Sequence, residues 1–331
     1  MRLKTLVIVP CALLAGAVIG ALVYLDGLQP VRDGELSLNH LSAPVSVHYD
    51  ERGVPHLEAQ NELDLYRALG YVHAQDRLFQ MEMLRRLARG ELAEVLGEPL
   101  VETDRLFRTL RIRDRAASFI AEQDKQSAAW LALQAYLDGI NQYQDSRPAP
   151  LEFDILGIPK RPFTAEDTAS VAGYLAYSFA AAFRTEPTLT FIRDQLGPDY
   201  LQIFDLDWHP EGVDKAPALG VNDWRALGLL ARVSQQALPA SGLPQYEGSN
   251  AWVISGRQTR SGKPLLAGDP HISFAVPAVW YEAHLRAPGF ELYGHHQALN
   301  PFAMLGHNQQ MGWSLTMFQN DDIDLIAEKI N

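Results

Sequence analysis

The chain has 331 residues, a length that favours about two domains over one. With 47% apolar and 21% charged residues it can bury a full core and is not a disordered chain. Its 40 acidic against 28 basic residues leave a net charge of −12, which argues against a protein whose main business is coating nucleic acid. A single cysteine, Cys11, excludes an internal disulfide, a cysteine-based zinc site and an iron–sulfur cluster.

Arg2 and Lys4 precede an uncharged run over residues 5–25. At about 1.5 Å per helical residue that run is long enough to cross a bilayer. Residues 1–25 are therefore expected to be a membrane anchor or a cleaved signal peptide, with the rest exported to the periplasm or cell envelope.

Residues 44–60 read as a hairpin. Val45, Val47 and Tyr49 alternate with polar residues, Gly53 marks the turn, and Val54 to Leu57 resume the strand pattern. From Asp64 the period becomes helical, through Leu65, Leu69, Val72, Leu78, Phe79, Met83 and Leu87. Arg85, Arg86 and Arg89 load the end of that helix, where cations suit the macrodipole, and Gly90 can cap it. Helical pattern returns at 127–143 and 165–183, so residues 31–205 are expected to be mostly helical. Prolines and glycines punctuate 206–248 around one helical patch at 223–236, the mark of a linker. After 249 the pattern becomes β, with strands expected near 252–255, 279–286, 290–293, 303–305 and 313–317, arranged as an antiparallel meander.

Several motifs fail. Gly256 and Gly262-Lys263 have one residue too many between the glycines for a phosphate loop, and Pro264 stands where a magnesium-binding hydroxyl belongs. There is no G-x-S-x-G elbow, no S-x-x-K and no H-E-x-x-H. His271, His284, His295, His296 and His307 show no zinc spacing.

Gly248-Ser249-Asn250-Ala251-Trp252 lies where the linker gives way to strands. Alone, such a serine is an ordinary turn residue. Its surroundings give it a different meaning. The chain resembles the penicillin acylase family of N-terminal-nucleophile hydrolases over nearly all of residues 40–331. In the first half the resemblance rests on Asp50-Glu51-Arg52-Gly53-Val54-Pro55-His56, on Gly70-Tyr71-Val72-His73-Ala74-Gln75-Asp76-Arg77-Leu78-Phe79-Gln80-Met81, and on Arg85-Arg86-Leu87-Ala88-Arg89-Gly90. In the second half it rests on the block around Ser249, on Ser261-Gly262-Lys263-Pro264 with Gly268-Asp269-Pro270-His271, on Gly306-His307-Asn308 with Trp313, and on Asn320-Asp321-Asp322-Ile323-Asp324.

The resemblance implies an α+β fold, the αββα sandwich of these hydrolases. It has a mostly helical α-chain part at 31–205, a spacer at 206–248 and the start of an antiparallel β-rich β chain at 249–331. It implies an exported precursor that cuts itself between Gly248 and Ser249 into an α/β heterodimer. Gly248 is expected to allow a strained turn presenting its carbonyl to the Ser249 hydroxyl. Ser249 Oγ would then be the nucleophile and its freed α-amino group the base, which explains why no triad motif is found. The Met317 N–H would be one oxyanion donor, with the family's second, an asparagine, falling beyond Asn331. His271 would orient the Ser249 amino group and hydroxyl.

Phe179 and Ile272 would line the acyl pocket. A structural calcium ion would be held by the carboxylates of Asp321 and Asp324, the carbonyl of Ile323 and, from the α part, Glu186. No organic cofactor is implied. The substrate would be a small N-acyl compound with a linear amide, of the acyl-homoserine-lactone or β-lactam side-chain type. Taken alone, the chain is expected to lack most of the β-chain sandwich and to be inactive. The competing expectation is a non-catalytic exported protein that binds acylated ligands or a partner.

Overall fold

The computed structural model describes residues 2–179, 182–204, 219–243, 246–317 and 325–326. In chain order, helix α1 (Arg2–Gly27) leads to strands β1 (Ser46–Tyr49) and β2 (Pro55–Glu58). Helices α2 (Glu62–Arg89), α3 (Ala93–Leu96), α4 (Val101–Thr109), α5 (Ile112–Glu122), α6 (Ala128–Ser146), α7 (Leu151–Leu156), α8 (Ala165–Phe179), α9 (Ala182–Phe191) and α10 (Val221–Ser241) follow. Strands β3 (Tyr246–Ile254), β4 (Leu265–Ile272), β5 (Trp280–Ala287), β6 (Phe290–Gln297), β7 (Leu305–His307) and β8 (Gly312–Trp313) complete the α+β chain. It divides into two compact units. The first comprises Met1–Met81, Asp124–Thr164 and Glu282–Leu292, and the second comprises Glu82–Gln123, Ala165–Tyr281 and Tyr293–Asn331.

In the first unit, β1 and β2 form the expected hairpin, with Val47 opposite Leu57 and His48 opposite His56. Gly53 turns the chain at φ +78°, a conformation glycine adopts without a Cβ clash. The Asp50 carboxylate accepts the N–H groups of Arg52 and Val54 at 2.9 Å each, closing the turn. Strand β2 then pairs in parallel with β5, placing His56 opposite His284, and β6 flanks β5. No local pattern announced this parallel pair, because its partners lie more than 200 positions apart.

The helical period read from Asp64 onward forms α2, which is interrupted by a non-helical Arg77 at φ −137°. Ser127 caps α6 by accepting the Trp130 N–H at 3.3 Å. Helices α2 and α6 meet backbone to backbone at Gly70 and Gly139. Leu65, Leu69, Leu78, Met81, Tyr136 and Ile140 are buried there.

Residues 2–27 are helical, but among the described residues no helix is long and apolar enough to cross a membrane, so the span expected over residues 5–25 is not supported.

In the second unit, the arginines at the end of α2 do more than complement a helix dipole. Arg85 and Arg86 are buried and both bond Glu82, Arg86 at 2.7 Å through Nε. Arg85 and Arg89 converge on the buried Asp167 of α8, at 3.6 and 2.9 Å. Gly90 ends the helix at φ +65°, as expected. Asp104 accepts the N–H groups of Leu92 and Ala93, capping α3 at 2.9 and 2.8 Å.

The helical patch expected at 223–236 is the longer α10, opened by an Asp223 carboxylate that accepts the Gly220 N–H at 2.7 Å. It buries Ser234, Ala237 and Leu238, and its Ala237 carbonyl accepts from Thr103 of α4 at 3.3 Å. Strands β3 and β4 form an antiparallel ribbon, while β6, β7 and β8 pair antiparallel beside it in the chain. The strand expected near 313–317 is confined to Gly312–Trp313, and the one near 303–305 begins at Leu305.

Candidate active site

The ribbon of β3 and β4 carries the site, all of it within the second unit. In the ladder Gly248 stands opposite His271, Ser249 opposite Pro270 and Asn250 opposite Asp269. The register shifts between Tyr246 and Gly248, a bulge of the kind that re-aims a strand beside a functional site. Gly248 was expected in a strained turn. It lies instead in extended strand and is absent from the positive-φ glycines, because pairing with β4 holds the backbone straight. A Cβ there would stand 3.7 Å from His271 Nδ1, an ordinary contact.

The Ser249 hydroxyl donates to the carbonyl of Gly248, the group it would have to attack for the chain to cut itself. The Ser249 carbonyl accepts a bond from the Thr316 hydroxyl at 2.8 Å. Ser249 also lies on the wall of a cavity of about 280 Å3. Leu175 and Phe179 of α8 line it, as do Pro270 and Trp280. Met304 and Leu305 add to the lining, and the segment Leu315, Thr316 and Met317 closes it. The lining is apolar apart from the two hydroxyl residues, which suits a chain of methylenes or a ring at one end and a reacting polar group at the other.

Three of the expected residues, Ser249, Phe179 and Met317, therefore share one cavity. His271 does not line it. It sits across the ladder from Gly248, about half exposed, with Nε2 2.9 Å from an Asp269 carboxylate oxygen and 3.4 Å from Asn250 Nδ2. A hydrogen bond this exposed adds little net stability, so its value here is in fixing the ring. Ile272 faces Tyr246 at the end of the ribbon and is also outside the cavity lining.

Glu186 is half-buried on α9. Asp321, Ile323 and Asp324 lie outside the described residues, and among the described residues no group of three or more acidic, histidine or cysteine side chains is placed to hold a metal. Trp280, Met304, Leu315 and Thr316 are among the other lining residues and were not singled out as site residues in the sequence. The only signal for Thr316 was its place one residue before Met317.

Comparison with known proteins agrees with the resemblance. The penicillin amidase family model matches residues 44–331. Penicillin acylase 2 proenzyme of Pseudomonas sp. (strain SE83) is 34% identical over a match covering 92% of this chain and 40% of that protein. Acyl-homoserine lactone acylase QuiP of Pseudomonas aeruginosa is 31% identical, with 93% of this chain and 37% of that protein covered. Among solved structures, the thermostable penicillin G acylase from Alcaligenes faecalis aligns with 29% identity over 54% of this chain and 96% of its own, at a TM-score of 0.39. The chain thus spans about two-fifths of the length of the curated relatives it matches. With the family model covering all but the first 43 residues, the chain belongs to the penicillin amidase family.

Proposed function

We propose that this chain supplies the nucleophile of an amide hydrolase that splits the linear amide of a small N-acyl compound, and that Ser249 becomes that nucleophile by self-cleavage at Gly248-Ser249. The observation that carries the reading is the position of Ser249, whose hydroxyl is bonded to the Gly248 carbonyl on one side while its residue borders an apolar cavity on the other.

In the first stage Ser249 Oγ attacks the Gly248 carbonyl carbon. The C–N bond breaks as the C–O ester forms, the Oγ proton passes to the departing nitrogen, and the Ser249 α-amine is released. Water then hydrolyses the ester, leaving Gly248 with a carboxylate and Ser249 with its hydroxyl. Until that step the Ser249 nitrogen is an amide and cannot act as a base; afterwards it is an amine with an ordinary pKa near 8. In the second stage the amine takes the Oγ proton, Oγ attacks the substrate carbonyl, and the Met317 N–H stabilises the oxyanion. The leaving amine departs with a proton, and water frees the carboxylic acid.

The apolar cavity favours the acyl half of the substrate, and the names of the relatives point to acyl-homoserine lactones or penicillin-type side-chain amides. The same reading includes a structural calcium ion held by Glu186, the Asp321 and Asp324 carboxylates and the Ile323 carbonyl. Of these only Glu186 lies among the described residues, and no chemical step passes through the ion.

The test is amine release from a panel of N-acyl-homoserine lactones of increasing chain length and from benzylpenicillin. The full-length gene product is expected to release amine from at least one, and the Ser249→Ala protein from none. Equal turnover by Ser249→Ala would overturn the reading.

A further inference from the structure

Thr316 is 67 positions from Ser249 in the chain, yet its hydroxyl donates to the Ser249 carbonyl at 2.8 Å. Two features of the ribbon give that bond a purpose. The residue opposite Ser249 is Pro270, which has no N–H to offer. The ladder therefore provides no donor to Ser249 from its facing residue, and a side chain outside the ribbon supplies one. The second feature is what lies next to Thr316. Leu315, Thr316 and Met317 all border the cavity that Ser249 borders, so this one hydroxyl ties the attacking residue to the segment that carries the Met317 peptide. The approach is close: a Cβ on Gly268 of β4 would fall 1.9 Å from Ser314 Oγ, which leaves the 314–317 segment seated directly on the ribbon.

We propose that Thr316 is a positioning residue for Ser249, holding its carbonyl so that Oγ keeps one place relative to the oxyanion donor before and after the chain is cut. The proposal rests on the reading of Ser249 as the nucleophile. Its importance rises once cleavage makes Ser249 a chain end, because a terminal strand residue frays unless something beyond the ladder fixes it. Thr316 touches neither the bond that breaks nor the bond that forms; it acts through the residue it holds. A displacement of the nucleophile by about 1 Å is enough to cost on the order of 100-fold in rate.

The experiment compares Thr316→Val, Thr316→Ala and Thr316→Ser with the unmodified protein and with Ser249→Ala, all as full-length gene product. The readouts are the rate of chain cleavage and the separate kcat and KM for the best amide of the panel. Loss of the hydroxyl in Val and Ala is expected to slow cleavage and lower kcat by about 10- to 100-fold, with KM held within about twofold. The Ser variant, which keeps the hydroxyl, is expected to recover most of the rate. Two results would overturn the proposal. One is a Val or Ala variant with unchanged kcat. The other is a Ser variant as slow as Val, since that would assign the effect to the lost methyl group. The Ser249→Ala arm keeps the two proposals apart: activity surviving there removes the nucleophile itself, whatever Thr316 does.

Discussion

His271 faces Gly248 across the β3–β4 ladder, with Nδ1 3.7 Å from where a Cβ on Gly248 would stand and Nε2 bonded to Asp269 at 2.9 Å. Asp269 holds Nε2, and Nδ1 is the ring nitrogen that comes near the position of Gly248. His271→Ala is therefore expected to slow chain cleavage by about 100-fold, the cost of a misplaced nucleophile. Asp269→Asn leaves the imidazole in place with its orientation loosened and should cost about tenfold. A time course of band conversion on a denaturing gel separates these values. Equal rates for His271→Ala and the unmodified protein would remove His271 from the reaction.

The contact between α2 and α6 depends on two glycines. A Cβ on Gly70 would lie 1.9 Å from the Tyr136 carbonyl oxygen, and one on Gly139 would lie 1.9 Å from the Arg67 carbonyl oxygen. Both obstacles are backbone and cannot swing aside. Gly70→Ala should cost about 3 kcal/mol and lower Tm by about 6–12 °C. Gly228, on α10 and without a neighbour within 4 Å, gives the control. Gly228→Ala should be neutral or slightly stabilising, because alanine is the better helix former. Calorimetry of the two variants tests the pair, and equal melting temperatures would contradict it.

Asp64 makes stability depend on pH in the acid range. Burial alone would raise its pKa. Bonds from the Ser42 hydroxyl at 2.6 Å and Asn61 Nδ2 at 2.7 Å outweigh that effect, helped by the Ser42 and Ala43 N–H groups, and hold the carboxyl below its ordinary 3.8. A carboxyl whose folded pKa is lowered stabilises the fold fully above the unfolded value. That stability fades as pH falls through the folded value. Asp64→Asn should therefore cost about 1–3 kcal/mol at pH 7. The gap between variant and parent should close as pH falls below 3.8 and through the lower folded value, as read by urea unfolding across the acid range. A gap that widened in acid would contradict the sign.

Asp167 is the acceptor shared by Arg85 and Arg89, and burial is nearly complete around it. Arg89 is 19% exposed; burial lowers its pKa, and the bonds to Asp167 and Glu91 reverse that and raise it. Asp167→Asn leaves two guanidinium groups short of a counter-charge and should cost about 3–5 kcal/mol. Unfolding with urea measures it, and a loss under about 1 kcal/mol would show that Glu82 and Glu91 suffice.

Much of the helical part was legible because burial imposes a period. The run from Leu65 to Leu87 repeats at helical spacing, and α2 follows it. The hairpin was legible because Gly53 separates two alternating stretches. Strand β4 was not legible as a strand, since Gly268, Asp269 and Pro270 all disfavour one; pairing with β3 overrides them. The parallel pairing of β2 with β5 leaves no local trace, for the chain between them says nothing of where its ends meet. Ser249 looked like any turn residue until the blocks around it were read together. Thr316 carried no signal beyond its place before Met317, because a side-chain bond to a distant carbonyl has no sequence signature.

The central claim is that one bond, between Gly248 and Ser249, is broken by the chain itself. Intact-mass analysis of the purified full-length gene product, with N-terminal sequencing of each piece, reads it directly. A piece beginning Ser249-Asn250-Ala251-Trp252 is expected, and it should be absent from Ser249→Ala. An active amide hydrolase with residues 248 and 249 still joined would contradict the account.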